Sequence, residues 1–137
     1  MDIDQLSATS AERFLKWRNV TKERDWMYPF QEKYEYFGDW PKGANHWGCD
    51  GYESGEHQII PEYAKNNELA LRILEGKFQH PKYLWQIQKL PSGKIRCDIT
   101  WDGPTYSGVG YRVAEAICEA CLASAGETVK SPNGQGK

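Results

Sequence analysis

Two alternating runs joined by a turn restrict this chain's fold more than any other feature. Tyr83, Trp85 and Ile87 alternate with Leu84, Gln86 and Gln88, and Ile95, Cys97, Ile99 and Trp101 alternate with Arg96, Asp98 and Thr100. A period of two is the signature of a strand with one buried face. Pro91-Ser92-Gly93 between the runs is turn chemistry, so the two strands form a hairpin. The apolar face, Trp101 included, is expected to pack on helices. The face with Gln86, Gln88, Arg96, Asp98 and Thr100 is either solvated or a polar binding surface.

The stretch from Thr105 to Ala123 follows directly. It reads as a glycine-bearing loop that runs into a helix ending near Ala125, with Gly126 as the stop. Gly108 and Gly110 permit backbone conformations that residues with a Cβ avoid. Arg112 then falls where the helix begins. A helix start offers unpaired N–H groups and partial positive charge, and a guanidinium adds a fork for phosphate or carboxylate. The competing reading is a tight strand-to-helix turn with Arg112 in solvent.

Earlier segments supply the remaining helices. Thr9 with Glu12 reads as a capping box for a helix to about Val20, with Ala11, Phe14 and Leu15 on its apolar face. Thr21 to Asp25 is polar. Lys33 to Phe37 is a short strand or an irregular arm, and Gly38 to Gly43 is loop chemistry. Tyr52 to Gln58 is a polar connection. Asn66 caps a second helix, with Leu69, Ile73 and Leu74 inward and Gly76 as its stop. Glu68 and Arg72 are placed to pair on its surface. Residues 1–126 form a single domain, and residues 127–137 read as a disordered tail.

Composition excludes several classes. The formal net charge of -2 offers no strong basic field for duplex nucleic acid. The longest apolar runs are too short to span a membrane, and the first residues do not resemble a signal peptide. The six Trp and eight Tyr are unusual in 137 residues, and many lie between Trp26 and Tyr52. Surface aromatics commonly mark ring or partner binding. His46 and Cys49 with Cys118 and Cys121 could be drawn as a zinc site. The last two share a helical pattern with Ile117 and Leu122, which favours packing as small apolar groups. His46, His57 and His80 lack a nucleophile or carboxylate at a recognised catalytic spacing. No cofactor motif is present.

The order of segments resembles the phage ABA sandwich domain family. Pro61-Glu62-Tyr63 with the following residues to Leu74 looks like that family's helix entry. His46 to Gly51 resembles its Trp-bearing element, and Ala116 to Leu122 its final helix with an Ala-Ile-Cys core. Ala64-Lys65-Asn66 departs from the family's Ser-Thr-Asp, and Val113 stands near a position where the family has proline. The resemblance implies an α+β fold, a small antiparallel sheet sandwiched between helices, and a phage or prophage origin. It also suggests, by analogy, a sponge that sequesters nucleotide immune signals of the cyclic ADP-ribose or cyclic oligonucleotide type, such as those of Thoeris defence. Such a protein would act in the host cytoplasm, as a homodimer or larger homo-oligomer, and would leave its ligand uncleaved.

On that reading Arg112 and the N–H groups after Gly110 seat a phosphate. Trp47, Tyr106 and Tyr111 stack on a base. Arg96 or Lys94 neutralises a second phosphate. The alternative is an inhibitor that binds a host defence protein through the aromatics of residues 26–52.

Overall fold

A computed structural model describes residues 2–24, 34–41, 57–79, 81–101 and 103–126. The fold is mixed α+β; among the described residues it has two antiparallel three-stranded sheets and three α-helices. Helix α1 (Ile3–Thr9) runs into a π-helical turn, Ser10–Phe14. Strands β1 (Arg18–Arg24), β2 (Tyr34–Asp39) and β3 (His57–Ile59) form sheet 1 in that order. Helix α2 (Asn67–Lys77) follows. Sheet 2 contains β4 (Tyr83–Lys89), β5 (Ile95–Trp101) and β6 (Thr105–Gly110), and α3 (Val113–Ser124) follows it. Residues 127–137, expected to be a tail, lie outside the described residues.

Sheet 2 contains the expected hairpin. Tyr83 pairs with Trp101 and Lys89 with Ile95, in unbroken register. The expected glycine loop is instead a third strand, β6, which pairs with β5 from Thr105 to Gly110. Neither Gly108 nor Gly110 has a positive φ. Their role is steric. A Cβ on Gly108 would stand 2.3 Å from the Ala116 carbonyl oxygen and 2.4 Å from the Ala120 nitrogen. A Cβ on Gly110 would stand 2.5 Å from the Glu115 Cβ. Helix α3 therefore lies directly on the backbone of β6 and extends over β5. The opposite face of the sheet carries exposed Leu84, Gln86, Gln88, Thr105 and Ser107.

Ile117 and Leu122 of α3 are buried with Ile73 and Leu74 of α2 and with Cys97 and Ile99 of β5. Leu74, Leu122 and Ile99 are fully enclosed, and truncating such a side chain costs about 2–5 kcal/mol. Helix α2 is built as its sequence indicates. The Asn66 Oδ1 accepts the Leu69 N–H at 3.1 Å, and Arg72 reaches Glu68 at 3.6 Å. Cys97, Cys118 and Cys121 are buried free thiols. Desolvation pushes Cys97 and Cys118 up to about 12, and Cys121 well above its ordinary value, so all three pack as apolar groups. Cys49 and His46 lie outside the described residues. Among the described residues, no helix is long and apolar enough to cross a membrane.

The first thirty-nine residues depart most from expectation. Helix α1 begins at Asp2, not Thr9: the Asp2 carboxylate accepts the Gln5 N–H at 2.8 Å, and the Gln5 side chain accepts the Asp2 N–H at 3.0 Å. The helical path ends before Lys16, whose φ of 68° no right-handed helix contains. Residues 18–24 are a strand, although their charges gave no alternation to read. Gly38 and Asp39, expected in a loop, end β2; a Cβ on Gly38 would crowd Trp17 and Val20 at 3.2 and 3.3 Å. The connection expected through Gln58 contains β3.

One side chain ties sheet 1 together. His57 on β3 places Nδ1 2.7 Å from Asp39 on β2 and Nε2 2.8 Å from Glu23 on β1. Thr21 also donates to Glu23, and Asn19 to Asp39. The hydrogen bonds to Glu23 and then Asp39 raise the His57 pKa. The hydrogen bond from Thr21 and that from His57 lower Glu23; those from Asn19 and His57 lower Asp39.

Two outcomes test this architecture. Gly108→Ala forces a methyl into helix backbone, so urea denaturation should show a loss of about 3 kcal/mol or more; an unchanged midpoint would refute the close packing. For the clamp, the imidazolium contribution is complete below 6.5 and fades as pH rises through the raised His57 value. The carboxylate contribution is present above their ordinary values of 4.5 and 3.8 and fades as pH falls through the lowered ones. NMR titration should therefore place the His57 midpoint above 6.5, and Glu23→Gln should move it down.

Candidate functional site

The open end of the hairpin assembles an aromatic cleft. Register brings Tyr83 opposite Trp101 and Ile99 opposite Tyr106. Phe78 caps the C-terminal end of α2, Phe14 ends the π-helical turn, and Ser124 and Ala125 finish α3. Together with Lys77 these residues line a cavity of about 210 Å³. The rings form a connected chain. Phe14 and Phe78 stack with centroids 5.7 Å apart and planes 14° apart. Phe78 meets Tyr83 edge-on at 5.0 Å, and Tyr83 meets Trp101 at 5.7 Å.

Two lysines lie over these rings. Lys77 Nζ is 5.9 Å from the Phe14 centroid, and Lys82 Nζ is 5.3 Å from Trp101 and 5.6 Å from Tyr83. Such cation–π contacts hold an ammonium over a ring, and that of Lys82, over Tyr83 and Trp101, is placed to meet an anion as well. The residues lining the cleft include no carboxylate, imidazole or thiol. The chemistry on offer is therefore a hydrophobic slot for a flat ring with ammonium groups at its edge. The volume accommodates one ring system, not a whole cyclic dinucleotide.

Among the described residues expected to bind ligand, only Tyr106 lines this cleft. Arg112 is the N-cap of α3, exposed, without a side-chain cap bond. The helix is 12 residues long, so Arg112 and the cleft are separated by about 18 Å along its axis. One N–H of that helix start is already used: Ala114 donates to the Asn67 side chain at 2.9 Å, which joins the start of α3 to the start of α2. Gly110 is buried against Glu115. Tyr111 is 76% exposed, with Lys94 Nζ 5.2 Å from its ring centroid. Arg96 is on the opposite face of sheet 2. Its Nε donates to Asp98 at 2.9 Å and its Nη2 approaches the Ser107 hydroxyl at 3.4 Å. Burial pushes the Asp98 carboxyl up, but hydrogen bonds from Ser107 and Arg96 outweigh it and leave the value lowered. Arg96 is thus engaged in a charge-assisted network. Trp47 lies outside the described residues, as does most of the 26–52 segment.

Trp101 corrects one expectation. It is 40% exposed and forms a wall of the cleft, not part of the core. Phe14, Lys77, Phe78, Lys82 and Tyr83 were not singled out by sequence. Hairpin register could have placed Tyr83 beside Trp101; nothing local indicated that Phe14 and Phe78 would join them.

No family model and no curated protein matches the chain. Its fold is similar to that of a phage protein from Bacillus cereus ATCC 14579, known from a 2.0 Å crystal structure. That likeness has a TM-score of 0.55 at 18% sequence identity, and covers 90% of this chain and 92% of the other. It establishes a fold shared with a phage protein.

Proposed function

We propose that this is a phage-encoded binding protein that captures a nucleotide immune signal in the aromatic cleft and holds it without cleavage. The carrying observation is the cleft itself: Phe78, Tyr83, Trp101 and Tyr106 around a slot sized for one ring, with Lys77 and Lys82 at its edge. A base stacks between aromatic faces with about 1–3 kcal/mol per ring. The phosphates of the same nucleotide then extend toward Lys82. Among the described residues no acid–base pair lines the slot, and the side chains that do line it support retention by stacking and charge. A cyclic ADP-ribose-type or cyclic oligonucleotide messenger would insert one base and leave the remainder at the rim. The fold shared with a phage protein agrees with anti-defence use in the host.

Calorimetric titration with cyclic ADP-ribose-type ligands and cyclic dinucleotides provides the test. Binding should weaken about tenfold or more in Trp101→Ala, the loss of one stacking face, and in Lys82→Ala. Arg112→Ala should bind normally if the cleft is the site; selective loss in that variant would return the site to the start of α3. Mass spectrometry of ligand released by heating should show it intact. No binding by any of these ligands, or recovery of a cleaved product, would overturn the proposal.

A further inference from the structure

The geometry points to β4 as the interface with a second copy of this chain, joined antiparallel across a two-fold axis at Gln86. Sheet 2 ends at β4. The Leu90 N–H donates toward β5, to the Lys94 carbonyl at 2.8 Å. The ladder from Tyr83 to Lys89 keeps its register throughout. Successive residues direct their backbone groups to opposite sides of an antiparallel strand. Leu84, Gln86 and Gln88 therefore point theirs to β5, and Trp85, Ile87 and Lys89 point theirs out of the sheet.

Exposed edges are normally blunted by charge, proline, bulges or brevity. Sheet 1 shows these devices: β1 has a register shift between Arg18 and Thr21 and carries Arg18, Lys22 and Arg24, and β3 has three residues. β4 has seven residues, no proline, no bulge and one charge, Lys89 at its end. Helix α3 covers β6 and β5, and Trp85 and Ile87 remain half-buried at the uncovered side, with Leu84 58% exposed.

The strand is complementary to itself. About an axis at Gln86, Trp85 stands opposite Ile87 of the second copy, and both residues direct their N–H and C=O groups across the junction. Leu84 stands opposite Gln88, and Tyr83 opposite Lys89, so no like charges face each other. The half-buried Trp85 and Ile87 extend one apolar face through the junction. A six-stranded sheet results. This arrangement is independent of the ligand proposed above.

Sedimentation velocity and cysteine cross-linking test the interface. Wild type and Ile87→Val should dimerise. Ile87→Pro removes one outward N–H from each copy without taking a bond from β5, so its dimer dissociation constant should rise about tenfold or more. Gln86→Cys should oxidise to a covalent dimer, because facing residues of a non-hydrogen-bonded pair lie about 4.5 Å apart at Cα, within disulfide reach. Gln88→Cys should not, since its mate in the second copy is four residues along, about 13 Å away. If Ile87→Pro fails to fold, the two cysteine variants decide. A monomeric wild type at every concentration, or cross-linking at 88 equal to that at 86, overturns the interface.

Discussion

The absence of side chains at Gly108 and Gly110 lets a helix rest on a strand at backbone distance. Ordinary helix-on-sheet packing keeps the two layers about 10 Å apart by interposing side chains. Here the α3 backbone at Ala116 and Ala120 occupies the space where a Cβ would be. Three alanines of α3, Ala114, Ala116 and Ala120, are fully buried as a result, and the larger Ile117 and Leu122 pack with the residues of α2. Much of the architecture depends on this contact. Because α3 is drawn onto β6, it covers one side of the sheet's inner face and leaves β4 at the margin. It also places Ser124 and Ala125 beside the aromatic side chains at the hairpin's open end.

The hairpin, α2 and the end of α3 were legible because each rests on local chemistry. Alternation specifies Tyr83 to Trp101, Asn66 is a good cap, and Gly126 supplies the left-handed stop with φ of 84°. The N-terminal region was not legible for an equally local reason. Asp2 with Gln5 and Thr9 with Glu12 both fit a capping box, and the apolar positions at Phe14, Leu15 and Trp17 continue a helical spacing. The chain departs from it because Trp17 is needed against Trp40, 5.0 Å between ring centroids. That partner is twenty-three residues away, beyond the reach of any periodicity argument. The charged strand β1 is likewise specified by its neighbours and not by its own pattern.

The candidate site divides in the same way. Glycines before a helix suggest an anion seat when read locally, yet here they answer a steric demand from the helix itself. Arg96, read as a free cation, is held by Asp98 and Ser107 across two strands. The cleft, by contrast, collects Phe14, Phe78, Tyr83, Trp101 and Tyr106 from five separate elements or their ends. No short motif encodes such a gathering; it follows from where the elements stop. Tyr106, expected to stack on a base, lines the cleft, at the opposite end of α3 from Arg112.

The imidazole shared by three strands has a different implication. In most small sheets, tight turns set which residues face each other. In sheet 1 the alignment of Glu23, Asp39 and His57 is enforced by contacts between side chains distant in sequence. A strand carrying its own member of this triad brings its alignment with it, so the sheet's pairing is written in the strands themselves.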